Sequence, residues 1–255
     1  MAPAPPIPNA SPGPEPLYRP LLMSAWGVKK DQILAPVWIE SERYDIEAKV
    51  PPGAAKAQLS LLLQHLLQDR FKLTLHKDTK EFSVYELTVA KDGLKIKPSP
   101  VDPDFQPLAD GTPLSSGTDK DGFPILLPGQ RQAGRFGNGI IHSTYRMYPM
   151  PELVTALESM IDMATGASAF DALHVVDATG LTGKFDFKLE FAGEAVIPGR
   201  PAQATPADHT PADPGSSGPS LFTALEKQLG LKLEHRRQSL DVIIVDHAEK
   251  TPTEN

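Results

Sequence analysis

At 255 residues, with 40% hydrophobic and 22% charged side chains, the chain has the composition of an ordinary globular protein and room for one large domain or two small ones. A net charge of −7 argues against a nucleic-acid partner, which calls for a basic face, and the short runs Lys29-Lys30 and Arg236-Arg237 read as solvated surface. The chain has no cysteine, which removes disulfides, thiolate nucleophiles and thiolate metal sites, and no apolar run approaches the roughly 20 residues of a bilayer-crossing helix.

Eight of the first twenty residues are prolines, so 1–16 reads as an extended tail, without the basic and apolar regions of a signal peptide. Leu17 to Trp26 has a helical stripe of Leu21, Leu22, Ala25 and Trp26, with Pro20 in its first turn and Gly27 as its stop. Arg43 to Val50 alternates as a strand. Ala54 to Arg70 is the clearest helix, with Leu59, Leu62, Leu63, Leu66 and Leu67 predicted on its inner face. Phe71–Leu75 and Phe82–Ala90 read as two strands, joined as an antiparallel hairpin through the polar link Lys77–Glu81.

A proline-rich stretch then reads as a linker over 98–133. The glycine-rich turn Gly134–Gly139 leads into a strand over Ile140–Tyr148, and Pro151–Met163 is a helix with Leu153, Leu157, Met160 and Ile161 inward. His174–Val176 and Lys184–Phe191 read as strands separated by the turn Thr179–Gly183, and 196–219 as a proline-rich loop. Ser220 caps a helix running to Leu229, and Leu231–Leu233 with Asp241–Asp246 are predicted to close the chain as a second hairpin.

Much of this plan occurs twice. Leu67-x-x-x-Phe71-x-Leu73-x-Leu75 is echoed by Leu225-x-x-x-Leu229-x-Leu231-x-Leu233, and Val84–Leu87 by Val242–Val245. Upstream, Tyr44-Asp45-Ile46 is echoed by Phe185-Asp186-Phe187, and Leu22-x-x-Ala25-Trp26 by Leu153-x-x-Ala156-Leu157. The expected organisation is a tail (1–16), repeat one (17–97), a linker (98–133), repeat two (134–250) and a short C-terminal tail (251–255). The expected fold class is α+β, a tandem pair of small repeats whose helices pack on a mostly antiparallel sheet.

The seven histidines are the main catalytic raw material, and each has a plainer reading. His65 sits beside a helical stripe; His76 and His235 follow strands; His142 and His174 lie within them, where cross-strand packing is the default. Asp208-His209 and Asp246-His247 are sequence neighbours, and on a strand neighbours point to opposite faces. Asp45 and Asp186 should face away from the aromatic residues beside them, on a polar sheet surface. Trp26 and Trp38 read as packing residues. No nucleophile elbow, H-E-x-x-H pair or phosphate loop is present, and Gly134-Arg135-Phe136-Gly137-Asn138-Gly139 leads into a strand, which makes it a hairpin turn. No catalytic, cofactor-binding or metal-ligating residue is assigned.

Four ordered segments resemble a known family. Ala35-Pro36-Val37-Trp38 through Tyr44-Asp45-Ile46-Glu47-Ala48, Leu67-Gln68-Asp69-Arg70-Phe71-Lys72-Leu73, Val176-Asp177-Ala178-Thr179-Gly180-Leu181-Thr182-Gly183-Lys184-Phe185-Asp186-Phe187 and the stretch from Gly218-Pro219-Ser220 to Leu233 resemble the soil-associated proteins abundant in Acidobacteria, a family of unknown function. The resemblance spans about residues 17 to 255, with one residue fewer before Thr179 than the family pattern. It implies export, and a periplasmic or secreted module of binding or sensor type, since some members form the C-terminal part of membrane-bound sensor peptidases. The family's opening strand and export signal have no counterpart in the tail 1–16. The helix-then-strands plan is also similar to the short signalling domain of secretins and TonB-dependent receptors.

The function expected from the chain is therefore a non-enzymatic binding module outside the cytoplasm, with an unidentified protein or small ligand as its partner and an exposed sheet edge as one binding mode. The competing expectation is a hydrolase whose histidine and aspartate meet between the two repeats.

Overall fold

The structure, a computed structural model, describes residues 18–44, 56–100, 105–106, 108, 117–165, 173–192 and 218–253. The tail 1–16, most of the loop 196–219 and most of the expected strand 43–50 lie outside them. The architecture is α+β, with two four-stranded sheets and four α-helices among the described residues. The chain forms two compact units, one of residues 1–81 with 239–255 and one of residues 82–238. The boundaries expected for the linker, at 97 and 134, both fall inside the second unit.

In the first unit, α1 (Tyr18–Trp26) ends where Gly27 takes φ 65° and its N–H reaches the Met23 carbonyl at 2.8 Å. Pro20 is its third residue, where no intrahelical N–H is lost. The second helix, α2 (Lys56–Phe71), presents a stripe of Ser60, Gln64, Leu67 and Phe71 at 4-3-4 spacing. Ser60 Oγ and Gln64 Nε2 donate to the Ser24 and Ala25 carbonyls at the end of α1, at 3.3 and 2.7 Å, satisfying groups that a helix end leaves open. That polar pair turns the helix away from the expected register. Leu67 and Phe71 are buried and Leu63 and Leu66 pack against the same core, as expected, but Leu59 and Leu62, also expected inside, are exposed.

The core of this unit joins Tyr18, Leu22 and Ala25 of α1 to Ile39, Leu67, Phe71 and Leu73, with Ile243 and Val245 from the far end of the sequence. Tyr18, Tyr44, Phe71 and Trp38 make edge-to-face contacts with centroids 4.9–5.8 Å apart. Arg19 is buried because its guanidinium donates to the Lys30 and Ile33 carbonyls and pairs with Glu40 at 2.9 Å. Strand β1 (Ile33–Leu34) pairs in parallel with Ile243 and Ile244 of β8 (Leu231–His247).

Two expected hairpins are absent. Phe82–Ala90 and the segment before it are one strand, β2 (Thr74–Val89), and Leu231–Leu233 and Asp241–Asp246 lie in one strand, β8 (Leu231–His247). Neither Lys77–Glu81 nor Arg236–Leu240 contains a glycine, proline or asparagine to supply the positive φ of a tight turn, so each strand runs on. The polarity that suggested a loop reflects solvent exposure. The sheet order is β1-β8-β2-β6, with β6 formed by His174–Asp177, so each long strand neighbours the other rather than folding back on itself. Each begins in one unit and ends in the other.

In the second unit, β6 (His174–Asp177) runs parallel to β2, with Val84 opposite His174. The second sheet is antiparallel, in the order β3-β7-β5-β4: Lys97–Pro98, Lys184–Ala192, Ile140–Pro149 and Gln132–Gly137. The expected six-residue glycine turn is shorter. Gln132–Gly137 is itself strand, and only Asn138 and Gly139, at φ 53° and 77°, make the turn into β5. A bulge between Tyr145 and Tyr148, with Met147 at φ 50°, interrupts β5 beside β7. Helix α3 (Met150–Thr165) buries Leu153, Leu157 and Ile161, with Met160 packed at the margin, as its period predicts. Helix α4 (Leu221–Ala224) is capped by Ser220 Oγ, which accepts from the Thr223 N–H, and widens into a π turn over Leu225–Leu229.

One junction occurs in both units. Leu67 and Phe71 lead through Lys72, at φ 48°, into Leu73 and β2; Leu225 and Leu229 lead through Gly230, at φ 68°, into Leu231 and β8. The matched leucine spacing is thus a helix, one left-handed residue and a strand, with both apolar sets buried.

Candidate functional site

The structure separates most of the histidines and brings two of them against carboxylates. His76 on β2 meets Asp246 on β8, with Nδ1 2.8 and 3.0 Å from the two carboxylate oxygens. The sequence had placed Asp246 only beside its neighbour His247, and cross-strand pairing carries no local signal. Both side chains are about half exposed, at 54% and 47%, and Asp246 is the one hydrogen-bond partner of His76 among the described residues. A His–Asp pair orients an imidazole, but nucleophilic catalysis also needs a hydroxyl or thiol on the other ring nitrogen.

His142 on β5 lies opposite Glu190 on β7, with Nε2 3.2 Å from Oε2, and Phe123 meets its ring edge-on at 5.1 Å. His174 is buried beside the Phe82 ring, and His235 lies 5.7 Å from Tyr85, both in packing roles. His65 and His247 are exposed. Trp38 packs on Tyr18, and Trp26 is half-buried against the same core. Asp45, Asp208 and His209 lie outside the described residues. Among the described residues, no three His, Cys, Asp or Glu side chains gather as a metal would require.

An open recess lies on the outer face of the β3-β7-β5-β4 sheet. Strand alternation puts Phe185, Phe187 and Leu189 into the core and turns Asp186, Lys188 and Glu190 outward, with Thr144 and His142 beside them on β5. A loop folded on itself by a bridge between Thr118 and Pro124 lies over this face. It is held there by Lys188 Nζ donating to Asp119 Oδ2 at 2.5 Å and by Thr144 Oγ1 donating to the Pro124 carbonyl at 2.8 Å. The resulting cleft is open to solvent, has a volume of about 540 Å³, and is lined by Asp119, Thr144, Arg146, Asp186 and Lys188 with Pro124, Ile125 and Leu126.

The Lys188 ammonium, with the backbone N–H groups of Phe123 and Asp121, holds the Asp119 carboxyl below its usual range. Asp186, predicted to face out, does so. Its Oδ1 accepts from Ser99 Oγ at 2.5 Å and from the Met147 N–H at 2.8 Å, the bulge supplying the second donor. Tyr145, on the buried side of β5, has its hydroxyl pushed up to about 12 by burial.

The outer edge of the same sheet is β4. Just before it, the Arg131 carbonyl accepts from the Arg146 N–H, so Ala133, Arg135 and Gly137 bond toward β5, and Gln132, Gly134 and Phe136 turn their backbone groups outward. The outward Gln132 carbonyl already accepts from Gln130 Nε2 at 2.9 Å. Gly134, Arg135 and Phe136 are exposed.

Fold and site together define an α+β protein of two compact units, the second carrying a polar cleft and, among the described residues, a sheet edge without a neighbour and no nucleophile–base–orienter set. The chain belongs to the family described as Protein of unknown function (DUF3738), whose model matches residues 19–248. No curated protein and no solved structure matches it. Among the described residues, no helix is long and apolar enough to cross a membrane.

Proposed function

We propose that the protein is a non-enzymatic binding module that acts outside the cytoplasm and takes up an extended segment of a partner protein on the edge of β4. One observation carries this reading: among the described residues β4 presents six residues with a neighbour on one side only, no proline and a single charge, Arg135. Natural sheets blunt such edges with short strands, prolines or charges. The other three edges are shorter: β1 and β3 have two residues each, β3 ending in Pro98, and β6 has four and ends in Asp177. An added strand would bond to the outward groups of Gly134 and Phe136, in the manner of strand-augmenting recognition domains. The extracytoplasmic setting is supported by the ordered motifs around Trp38, Phe71 and Gly180, and cell fractionation of the native protein tests it.

The binding mode is tested with peptides selected from a displayed library. Amide exchange at Gly134 and Phe136 should slow in the complex, and Gly134→Pro should weaken binding at least about tenfold, because it deletes an outward donor while sparing the bonds to β5. Peptides that bind the Gly134→Pro variant equally well would refute strand addition. The hydrolase reading keeps one observation in its favour, the His76–Asp246 pair. It requires ester or amide turnover that disappears in His76→Gln.

A further inference from the structure

The cleft on the open sheet face contains two carboxylates and two cations, and they are not equivalently engaged. Asp119 and Lys188 neutralise each other at 2.5 Å. Arg146 lies over the Phe105 ring, 5.7 Å from its centroid. Asp186 differs. Both of its hydrogen bonds, from Ser99 Oγ and the Met147 N–H, end on Oδ1, and among the described residues no cation pairs with it, not even Lys97, its register partner on β3. Two donors on one oxygen lock the carboxylate plane and leave Oδ2 to accept from whatever enters the cleft. Across from it stands an apolar wall of Pro124, Ile125 and Leu126, of which Ile125 is 51% exposed.

We infer that this cleft is a binding site for a primary ammonium group carried on an apolar chain, with the ammonium on Asp186 Oδ2 and the chain against Pro124, Ile125 and Leu126. The chemistry follows from what each wall lacks. An oriented carboxylate without a cation favours a compact, multiply donating cation. The Ile125 side chain is already desolvated on one flank, so covering the other removes apolar area from water with no polar group stranded. Fixed by packing and two hydrogen bonds, the site needs little reorganisation to accept the ligand. The inference rests on the cleft alone and is independent of strand addition at β4.

The same ammonium chemistry is offered by the N-terminus of an apolar peptide and by a lysine side chain. The test titrates the full chain with n-hexylammonium, with hexanoate and hexanol as matched probes, and follows backbone amide resonances. Hexylammonium should give saturable shifts at Ile125, Thr144 and Asp186, and the two matched probes should bind at least about tenfold more weakly. Asp186→Asn, which retains an acceptor for Ser99 and Met147, should lose hexylammonium binding by about tenfold or more while its melting temperature stays near that of the parent. Ile125→Ser, at an exposed site, should weaken binding of the apolar chain while leaving small ammonium ions unaffected. Leucinamide and Nα-acetyl-lysinamide then distinguish the two sources, and preferential binding of either supports the site. Equal binding of hexanoate, absence of saturable shifts, or unchanged affinity in Asp186→Asn would overturn it.

Discussion

Lys72 and Gly230 occupy the same backbone position in the two helix-to-strand junctions, yet only one of them is glycine. A residue with a Cβ in the left-handed region carries a steric cost of about 1–2 kcal/mol, which glycine avoids. Lys72 is exposed, so Lys72→Gly should stabilise the protein by up to about 1 kcal/mol, read from denaturant midpoints. Gly230 has no such latitude, because a Cβ there would lie 2.1 Å from the Gly93 carbonyl oxygen and 2.8 Å from the Lys95 N–H. Gly230→Ala should therefore cost about 2–3 kcal/mol in the same measurement. Asp119 gives a pH signature. Its carboxyl is held below the ordinary value of 3.8, chiefly by Lys188, so its contribution to the loop is complete above that value and is lost as pH falls through the depressed one. The Asp121 and Phe123 amides, which donate to Asp119 Oδ1, should shift in NMR spectra only below about pH 4, and Lys188→Met should raise that transition.

Elements were legible to the extent that their signals were local. The helices α1 and α3 follow from apolar period and stop residues, and Gly27 and Ser220 perform the terminal roles their chemistry suits. Helix α2 and most of its inward face are legible, since Leu63, Leu66 and Leu67 meet the core, but Leu59 and Leu62 do not. Leucine lies on too many sides of it, and the choice of face fell to Ser60 and Gln64, whose partners are carbonyls of another helix. Leu62→Gln should accordingly change stability by no more than about 0.5 kcal/mol, whereas Leu67→Ala should cost about 2–5 kcal/mol in thermal or denaturant unfolding. Strands β2 and β8 were misread as hairpins because exposed strand and polar loop share a composition. The absence of glycine, proline and asparagine from Lys77–Glu81 is the signal that distinguishes the two. The cleft was foreshadowed only by the outward register of Asp186. Ser99, Asp119 and Lys188 reach it from separate parts of the chain and bear no motif.

At the scale of the whole molecule, the second unit is a continuous stretch, 82–238, and the first is assembled from 1–81 and 239–255. The core of the second unit, from Leu87 to Leu233, lies wholly inside its own stretch. The core of the first needs Ile243 and Val245 from the end of the chain. Residues 82–238 expressed alone should unfold cooperatively with strand circular dichroism, and residues 1–81 alone should not, until a peptide covering 239–255 is supplied. Failure of the 82–238 fragment to fold would contradict that independence.

By itself the sequence determined the α+β class, the helix ends, the inward face of β7 and the family signature, because each depends on periodicity, backbone-restricted residues or ordered motifs within a few positions of one another. Tertiary structure alone decided that the two long strands neighbour each other, that His76 meets Asp246, that α2 turns its serine and glutamine inward, and that a loop from 117 to 126 roofs Asp186. These depend on partners up to 170 residues away, and side chains with several chemically acceptable partners take the one that chain topology delivers.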